Sequence, residues 1–271
     1  MRRVSLSALA RLVFVLALVL APAALQAVQQ NGAAPGAGVQ GAAVGAPAGG
    51  GAPVLPATEP RPRDDARHQS FLEIARGGHI DLLFVGDSIT DFWDTPGRGL
   101  RIWDEYFTPL NAANFGISGD TTQGVLWRMR NGELDGFKAR LIVLMLGTNN
   151  LSRNPNDEIA AGDRLIVEEF RKHQPQANVL ILGIFPRGPQ PGTPQRASIK
   201  AINEKLETLA DNRQVFYMDI GKEFLAEDGT LPADIMPDAL HPSERGYRVW
   251  AGATIEKVKE LMSIDESFLR K

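Results

Sequence analysis

The sequence predicts a doubly wound α/β domain built on a parallel sheet, on three observations. Five short apolar runs carry no polar alternation, as strands buried on both faces do. Amphipathic stretches with helical spacing fall between them. Nearly every run ends in glycine or a short polar loop. Strand–helix alternation of this kind implies right-handed crossovers, with the ligand crevice beyond the carboxyl ends of the strands.

The elements follow in chain order. Arg2 and Arg3 precede an apolar stretch from Leu12 to Leu20, and small residues follow it. A basic start, a short apolar run and a small-residue exit read as a secretory signal peptide over residues 1–27, cleaved after Ala23 or Ala27. The run is shorter than the ~20 apolar residues of a comfortable membrane span. An exported protein is therefore expected (periplasmic, cell-surface or extracellular), tethered to the membrane if the segment stays uncleaved. Residues 28–62 are dominated by Gly, Ala and Pro, and read as a flexible linker that cannot bury enough apolar area to fold. The folded domain is expected over 63–271.

Within it, Ile80–Val85 is the first apolar run and Gly86 ends it. Ala112–Phe115 is the second, Leu141–Leu146 the third, Val179–Ile184 the fourth and Val215–Met218 the fifth. Helices are predicted over 158–172, 197–209 and 244–262. The last places Tyr247, Trp250, Ala251, Thr254, Val258 and Leu261 on one stripe, with Ser243 as candidate N-cap.

The residues at the strand ends carry the chemistry. Gly86-Asp87-Ser88-Ile89 follows the first strand and sets Ser88 at a tight turn. Alone, such a serine reads more readily as a helix cap. Asn114-Phe115-Gly116 with Gly119-Asp120 closes the second strand, where glycine lets backbone N–H groups approach a ligand. Gly147-Thr148-Asn149-Asn150 closes the third and offers a side-chain amide. Asp238-Ala239-Leu240-His241 stands before the last helix. Of the four histidines, only His241 sits in a predicted strand-end loop with a carboxylate three residues before it. Nucleophile, N–H donors, amide donor, and base with its orienter are the parts of an acyl-transfer site.

Taken together these segments resemble the SGNH, or GDSL-like, hydrolase family, with Ile89 in place of that motif's leucine. Val125-Leu126-Trp127-Arg128, Asn131-Gly132-Glu133-Leu134 and Pro186-Arg187-Gly188 bring the likeness closest to the catalytic subunits of platelet-activating-factor acetylhydrolase and their bacterial relatives. The resemblance spans about Leu82 to Ala251. It implies a flavodoxin-like three-layer α/β/α fold with a five-stranded parallel sheet. It implies catalysis by Ser88, His241 and Asp238, and an oxyanion hole from the Ser88 and Gly119 N–H groups and the Asn149 amide. Asp87, beside the nucleophile, is read as structural.

Composition excludes other classes. Without cysteine there is no thiolate, disulfide or Cys-type zinc site, and with four histidines and no His-Glu-x-x-His pattern no metal or cofactor is expected. A net charge of −3 with scattered basic residues gives no reason to expect nucleic acid. The substrate is expected to be a small ester, an acetylated glycan or a lipid. A non-catalytic glycan-binding module is the alternative outside enzymes. Trp93, Trp103, Tyr106 and Phe107 read either as core or as a surface for sugar rings or an acyl chain. The sequence leaves the assembly open, a homodimer included.

Overall fold

The computed structural model describes residues 54–263, so the expected signal peptide (1–27) and most of the expected linker lie outside the described residues. Five strands form one all-parallel sheet: β1 (Leu82–Gly86), β2 (Ala112–Gly116), β3 (Leu141–Met145), β4 (Asn178–Leu182) and β5 (Val215–Met218), in the order β2-β1-β3-β4-β5. This is the flavodoxin-like order, whose direction reverses between β1 and β3 and opens a crevice there.

Side chains along each strand alternate between two cores, as a pleated strand requires. Leu83, Val85, Ile142, Leu144, Val179 and Ile181 enter one core. Helices α1 (Ala66–Arg76), α4 (Thr122–Arg130), α5 (Asn156–His173) and α6 (Pro194–Glu207) cover that face. Leu82, Phe84, Leu141, Val143, Leu180 and Leu182 enter the other, under α3 (Leu100–Tyr106) and α7 (Glu244–Leu261). The sequence reading placed all five strands within two residues of these limits, and Ser243 caps α7 by accepting from Gly246 N–H. It did not name α1, α3, α4 or the four-residue helix α2 (Ser88–Asp91).

The aromatic residues around α3 are core. Trp93 and Phe107 are fully buried, Trp103 nearly so, and with Phe84, Tyr247 and Trp250 they pack in tilted and edge-to-face contacts under the sheet. Trp93, Trp103 and Phe107 are thus not available to stack on a substrate.

One expected boundary moves. Residues 54–62, assigned by composition to the linker, lie against the domain: Ala57 is fully buried, and the Arg61 N–H donates to the Gln123 carbonyl at 3.0 Å. Composition misleads here because what docks the segment is its backbone, bonded to polar side chains of α4 and α5. Among the described residues no helix is long and apolar enough to cross a membrane.

Candidate active site

The turn after β1 is built by close packing. A side chain on Gly86 would lie 2.2 Å from Thr90 Oγ1 and 2.5 Å from the Met145 carbonyl, so only glycine lets α2 fold back over the strand end. Asp87 caps α2, accepting from Ile89 N–H at 3.0 Å. From α7, the Tyr247 hydroxyl donates to the Ile89 carbonyl at 2.7 Å. Ser88 is thus held from both sides at the first turn of α2.

Its Oγ lies 2.9 Å from His241 Nε2. The other ring nitrogen, Nδ1, lies 2.6 Å from Asp238 Oδ2. Asp238 Oδ1 accepts from the backbone N–H groups of His241 at 2.7 Å and Leu240 at 3.1 Å. The carboxylate therefore orients the imidazole and closes its own loop at once. With Nδ1 donating to Asp238, Nε2 is left to accept from the serine hydroxyl. Burial pushes the Asp238 carboxyl up, but the donors from His241 and Leu240 outweigh it and hold the group below its ordinary 3.8.

Ala239, between them, adopts the left-handed conformation at φ 55°. An alanine there carries backbone strain, which the surroundings must enforce. The Ala239 N–H donates to the Met236 carbonyl at 2.8 Å, and its own carbonyl accepts from Gly188 N–H at 2.9 Å. Arg196 in turn bonds the carbonyls of Arg187 and Gly188, both at 2.9 Å. The Pro186-Arg187-Gly188 segment is thereby a brace for the Asp238–His241 loop. Phe92 flanks the imidazole, its ring centroid 5.1 Å away.

The two remaining loops meet opposite. Gly119 has φ +77°, and none of the described residues lies within 4 Å of where a side chain would be, so among them its peptide is open to approach. Among the described residues neither the Ser88 nor the Gly119 N–H has a hydrogen-bond acceptor. The Asn149 amide donates one hydrogen to the Asp120 carbonyl at 2.8 Å, which joins the third strand's loop to the second's and leaves a second amide hydrogen. Asp91 clamps the Gly119 loop from α2, accepting from Ser118 N–H at 3.0 Å and Ser118 Oγ at 2.5 Å.

Beneath that loop runs a buried row of charge. Arg128 donates through Nε to Asp120 Oδ2 at 2.9 Å, through Nη2 to the Phe115 carbonyl at 3.2 Å, and through Nη1 to Glu133. Glu133 then meets His68 Nδ1 at 2.7 Å. All four side chains are buried. His68 is structural in this row. His173 pairs with Asp135 on the surface, so neither histidine competes for the base role.

Two further carboxylates are buried without salt bridges. Burial raises Asp87 from 3.8 to about 7, opposed by the Ile89 N–H and Arg187 and reinforced by Asp120. Asp163, on α5, is raised well above the ordinary value by burial and then by Asp87. Among the described residues one oxygen of Asp87 and both of Asp163 have no hydrogen-bond partner. Sequence reasoning singled out Asp87 but missed Asp163, which sits on the buried side of a helix where only its neighbours' spacing hints at burial.

The four predicted loops therefore converge, with Ser88, His241 and Asp238 in one hydrogen-bonded row and Gly119 and Asn149 on loops joined beside it. A cavity of about 680 Å³ between α6 and β5, lined by Arg196, Asn203, Tyr217 and Asp219 among others, contains none of these residues.

The model of the GDSL-like lipase/acylhydrolase family matches residues 84–249. The alpha1 subunit of rat platelet-activating factor acetylhydrolase IB is 34% identical over 220 residues, covering 78% of this chain and 92% of the relative. The fold is shared with a GDSL-like lipase from Bacteroides thetaiotaomicron (TM-score 0.59, 18% identity, 71% of this chain and 97% of the other). It is shared too with an acetylxylan esterase from Geobacillus stearothermophilus (TM-score 0.53, 21% identity, 70% and 97%).

Proposed function

The chain belongs to the GDSL-like lipase/acylhydrolase family and is a hydrolase acting on esters, and from that premise we propose that it works by a Ser88–His241–Asp238 triad on short, acetyl-type esters. The observation that carries the reading is the unbroken row from Ser88 Oγ through both imidazole nitrogens to Asp238, at 2.9 and 2.6 Å.

Ser88 Oγ attacks the ester carbonyl while its proton passes to His241 Nε2. Asp238 holds the neutral imidazole with its N–H on Nδ1 and stabilises the imidazolium once the proton arrives. The carbonyl oxygen becomes an oxyanion facing the N–H groups of Ser88 and Gly119 and the free amide hydrogen of Asn149. His241 returns the proton to the departing alkoxide, leaving an acyl-serine. Water then loses a proton to His241 as it adds to the acyl carbon, and the adduct collapses to release the carboxylic acid while Ser88 Oγ takes the proton back from His241. Each oxyanion donor is worth about 3 kcal/mol of transition-state stabilisation in sites of this kind.

The acetyl assignment draws on the names of two similar proteins, an acetylhydrolase and an acetylxylan esterase. Export, expected from residues 1–27, makes acetylated glycans as natural a substrate as lipids. The test is a panel of p-nitrophenyl acetate, butyrate and octanoate, acetylated xylan and an acetylated phospholipid, with Ser88→Ala as control. Turnover of acetyl esters by the parent protein and none by Ser88→Ala is expected. Full turnover by Ser88→Ala refutes the nucleophile, and a preference for octanoate refutes the acetyl assignment.

A further inference from the structure

We infer that Leu55–Arg61, the strap that composition assigns to a linker, is a positioning element of the active site that holds the Asn149 loop through its neighbour Asn150. The inference rests on the oxyanion role proposed above for Asn149.

Asn150 is fully buried and ties the two donor loops together. Its Oδ1 accepts from Thr122 N–H at 3.1 Å, and its amide donates to Gln123 Oε1 at 2.9 Å and Asn154 Oδ1 at 3.0 Å. Those two acceptors are aimed by the strap. The amides of Gln123 and Asn154 both donate to the Leu55 carbonyl, each at 3.0 Å. A side-chain amide that turns its N–H₂ toward one partner must turn its oxygen the other way. The single carbonyl of Leu55 therefore orients two amides, and they present their oxygens to Asn150. Without the strap both lose that acceptor and keep only longer contacts, Gln123 Nε2 to Asn154 Oδ1 at 3.3 Å and Asn154 Nδ2 to Glu158 Oε2 at 3.4 Å, so the partners of Asn150 are held less firmly. The adjacent Asn149 amide, bonded to the Asp120 carbonyl, is then less firmly placed.

Two further contacts show a built seat. Thr122 Oγ1 donates to the Ala57 carbonyl at 2.8 Å, and Ala57 N–H donates to Glu158 Oε2 at 3.3 Å. Gly162 lies inside α5, where glycine costs about 1 kcal/mol against alanine. A side chain on it would stand 2.7 Å from the Ala57 carbonyl and 2.8 Å from Thr122 Cβ. The bare backbone at 162 is what lets the strap and Thr122 close on the helix.

The test uses the full chain with single substitutions. Ala57→Glu sets a carboxylate in a fully buried position near Glu158 and releases the strap. Gly162→Ala displaces it with one methyl group. Val54→Ala changes an exposed side chain just before the strap and serves as the control variant. Three readouts are taken: kcat and KM on p-nitrophenyl acetate, inhibition by phenylboronic acid, which forms a tetrahedral adduct on serine, and hydrogen exchange of residues 54–62. Release of the strap is expected to lower kcat by on the order of tenfold or more, because donors slightly misplaced lose much of their effect on the transition state. KM should stay within about twofold, since the loss falls on the transition state and not on ground-state binding. Boronate affinity falls with kcat, and Val54→Ala matches the parent. If Ala57→Glu does not fold, Gly162→Ala carries the same comparison. A fast-exchanging strap with parental kcat overturns the inference, as does lost kcat with the strap still protected. Asn149→Ala separates the two readings. If it keeps parental kcat, the oxyanion assignment fails and the strap's role with it. If it is impaired while strap-released variants are not, the strap inference alone fails.

Discussion

Replacing Asp87 by asparagine removes an ionisation that the fold disfavours, so Asp87→Asn should become relatively more stable as pH rises. Asp87 is fully buried and holds its proton to about pH 7, against an ordinary 3.8. Below both values the group is neutral folded and unfolded, and its ionisation contributes nothing. Between them the unfolded chain gives up the proton while the folded chain keeps it, so the native state binds more protons and stability falls with rising pH. Above about 7 the folded group ionises too and the penalty levels off. Integrating 1.36 kcal/mol per pH unit across that window gives about 4 kcal/mol of destabilisation in the parent by pH 8, more than half of it present by pH 6. Asparagine keeps an oxygen for the Ile89 N–H but cannot ionise. Its amide places N–H₂ where Asp87 Oδ2 has no partner, a cost that does not vary with pH. The informative quantity is thus the change in ΔΔG between pH 4 and pH 8, not its value at either. Urea unfolding of both proteins at pH 4, 6 and 8 measures it. The expected result is a relative gain of several kcal/mol for Asp87→Asn on going from pH 4 to pH 8, with equal m values. A ΔΔG independent of pH, or one moving against the variant as pH rises, refutes the buried neutral acid.

Asp163→Asn should gain relative stability with rising pH in the same direction, since burial and Asp87 raise that carboxyl too; the same urea series reads it. Arg128→Met should lower stability by about 3–5 kcal/mol, because it takes the cation from two buried carboxylates, Asp120 and Glu133, and leaves Glu133 only His68; melting by calorimetry should fall by roughly 10 °C. Asp238→Asn should cut kcat by on the order of a thousandfold or more with little change in KM. Asp238 accepts from two backbone N–H groups through one oxygen and from the imidazole through the other, and an amide offers only one such oxygen. Steady-state kinetics on p-nitrophenyl acetate test this, and a loss confined to KM counts against the orienting role.

Much of this was legible in the sequence, for physical reasons that also mark where legibility stops. Strands buried on both faces must be apolar throughout, so β1 and β3 stand out as unbroken runs. This topology opens at the strand ends, so Ser88 and Asn149 were picked out there as candidates, and His241 in the loop before α7. Helix α4 was missed because its buried side carries Thr122, Gln123 and Arg128 as well as Val125, Leu126 and Met129. A helix that buries charge does not show an apolar stripe. The strap was missed for the opposite reason: it offers backbone carbonyls, and no side-chain pattern reports where a carbonyl will be wanted. The left-handed Ala239 was invisible because alanine gives no signal for positive φ.

The carboxylates near Ser88 show why geometry has to decide among them. A strongly shifted acid in a crevice is a natural candidate for catalysis, and by that criterion Asp87, next to Ser88 and titrating at about 7, outranks Asp238, whose carboxyl is held low. Yet Asp87 spends one oxygen on Ile89 N–H, and the serine hydroxyl is engaged by His241. A carboxylate that must stabilise an imidazolium should be ionised whenever the base is ready to act, and Asp238, held low by its three donors, meets that condition. The buried acids meet the opposite one, neutral where the fold is tightest. Their shifts follow from lying under the loops that carry the site. The pH profiles should divide accordingly: Asp87→Asn and Asp163→Asn move stability far more than kcat, and Asp238→Asn moves kcat far more than stability.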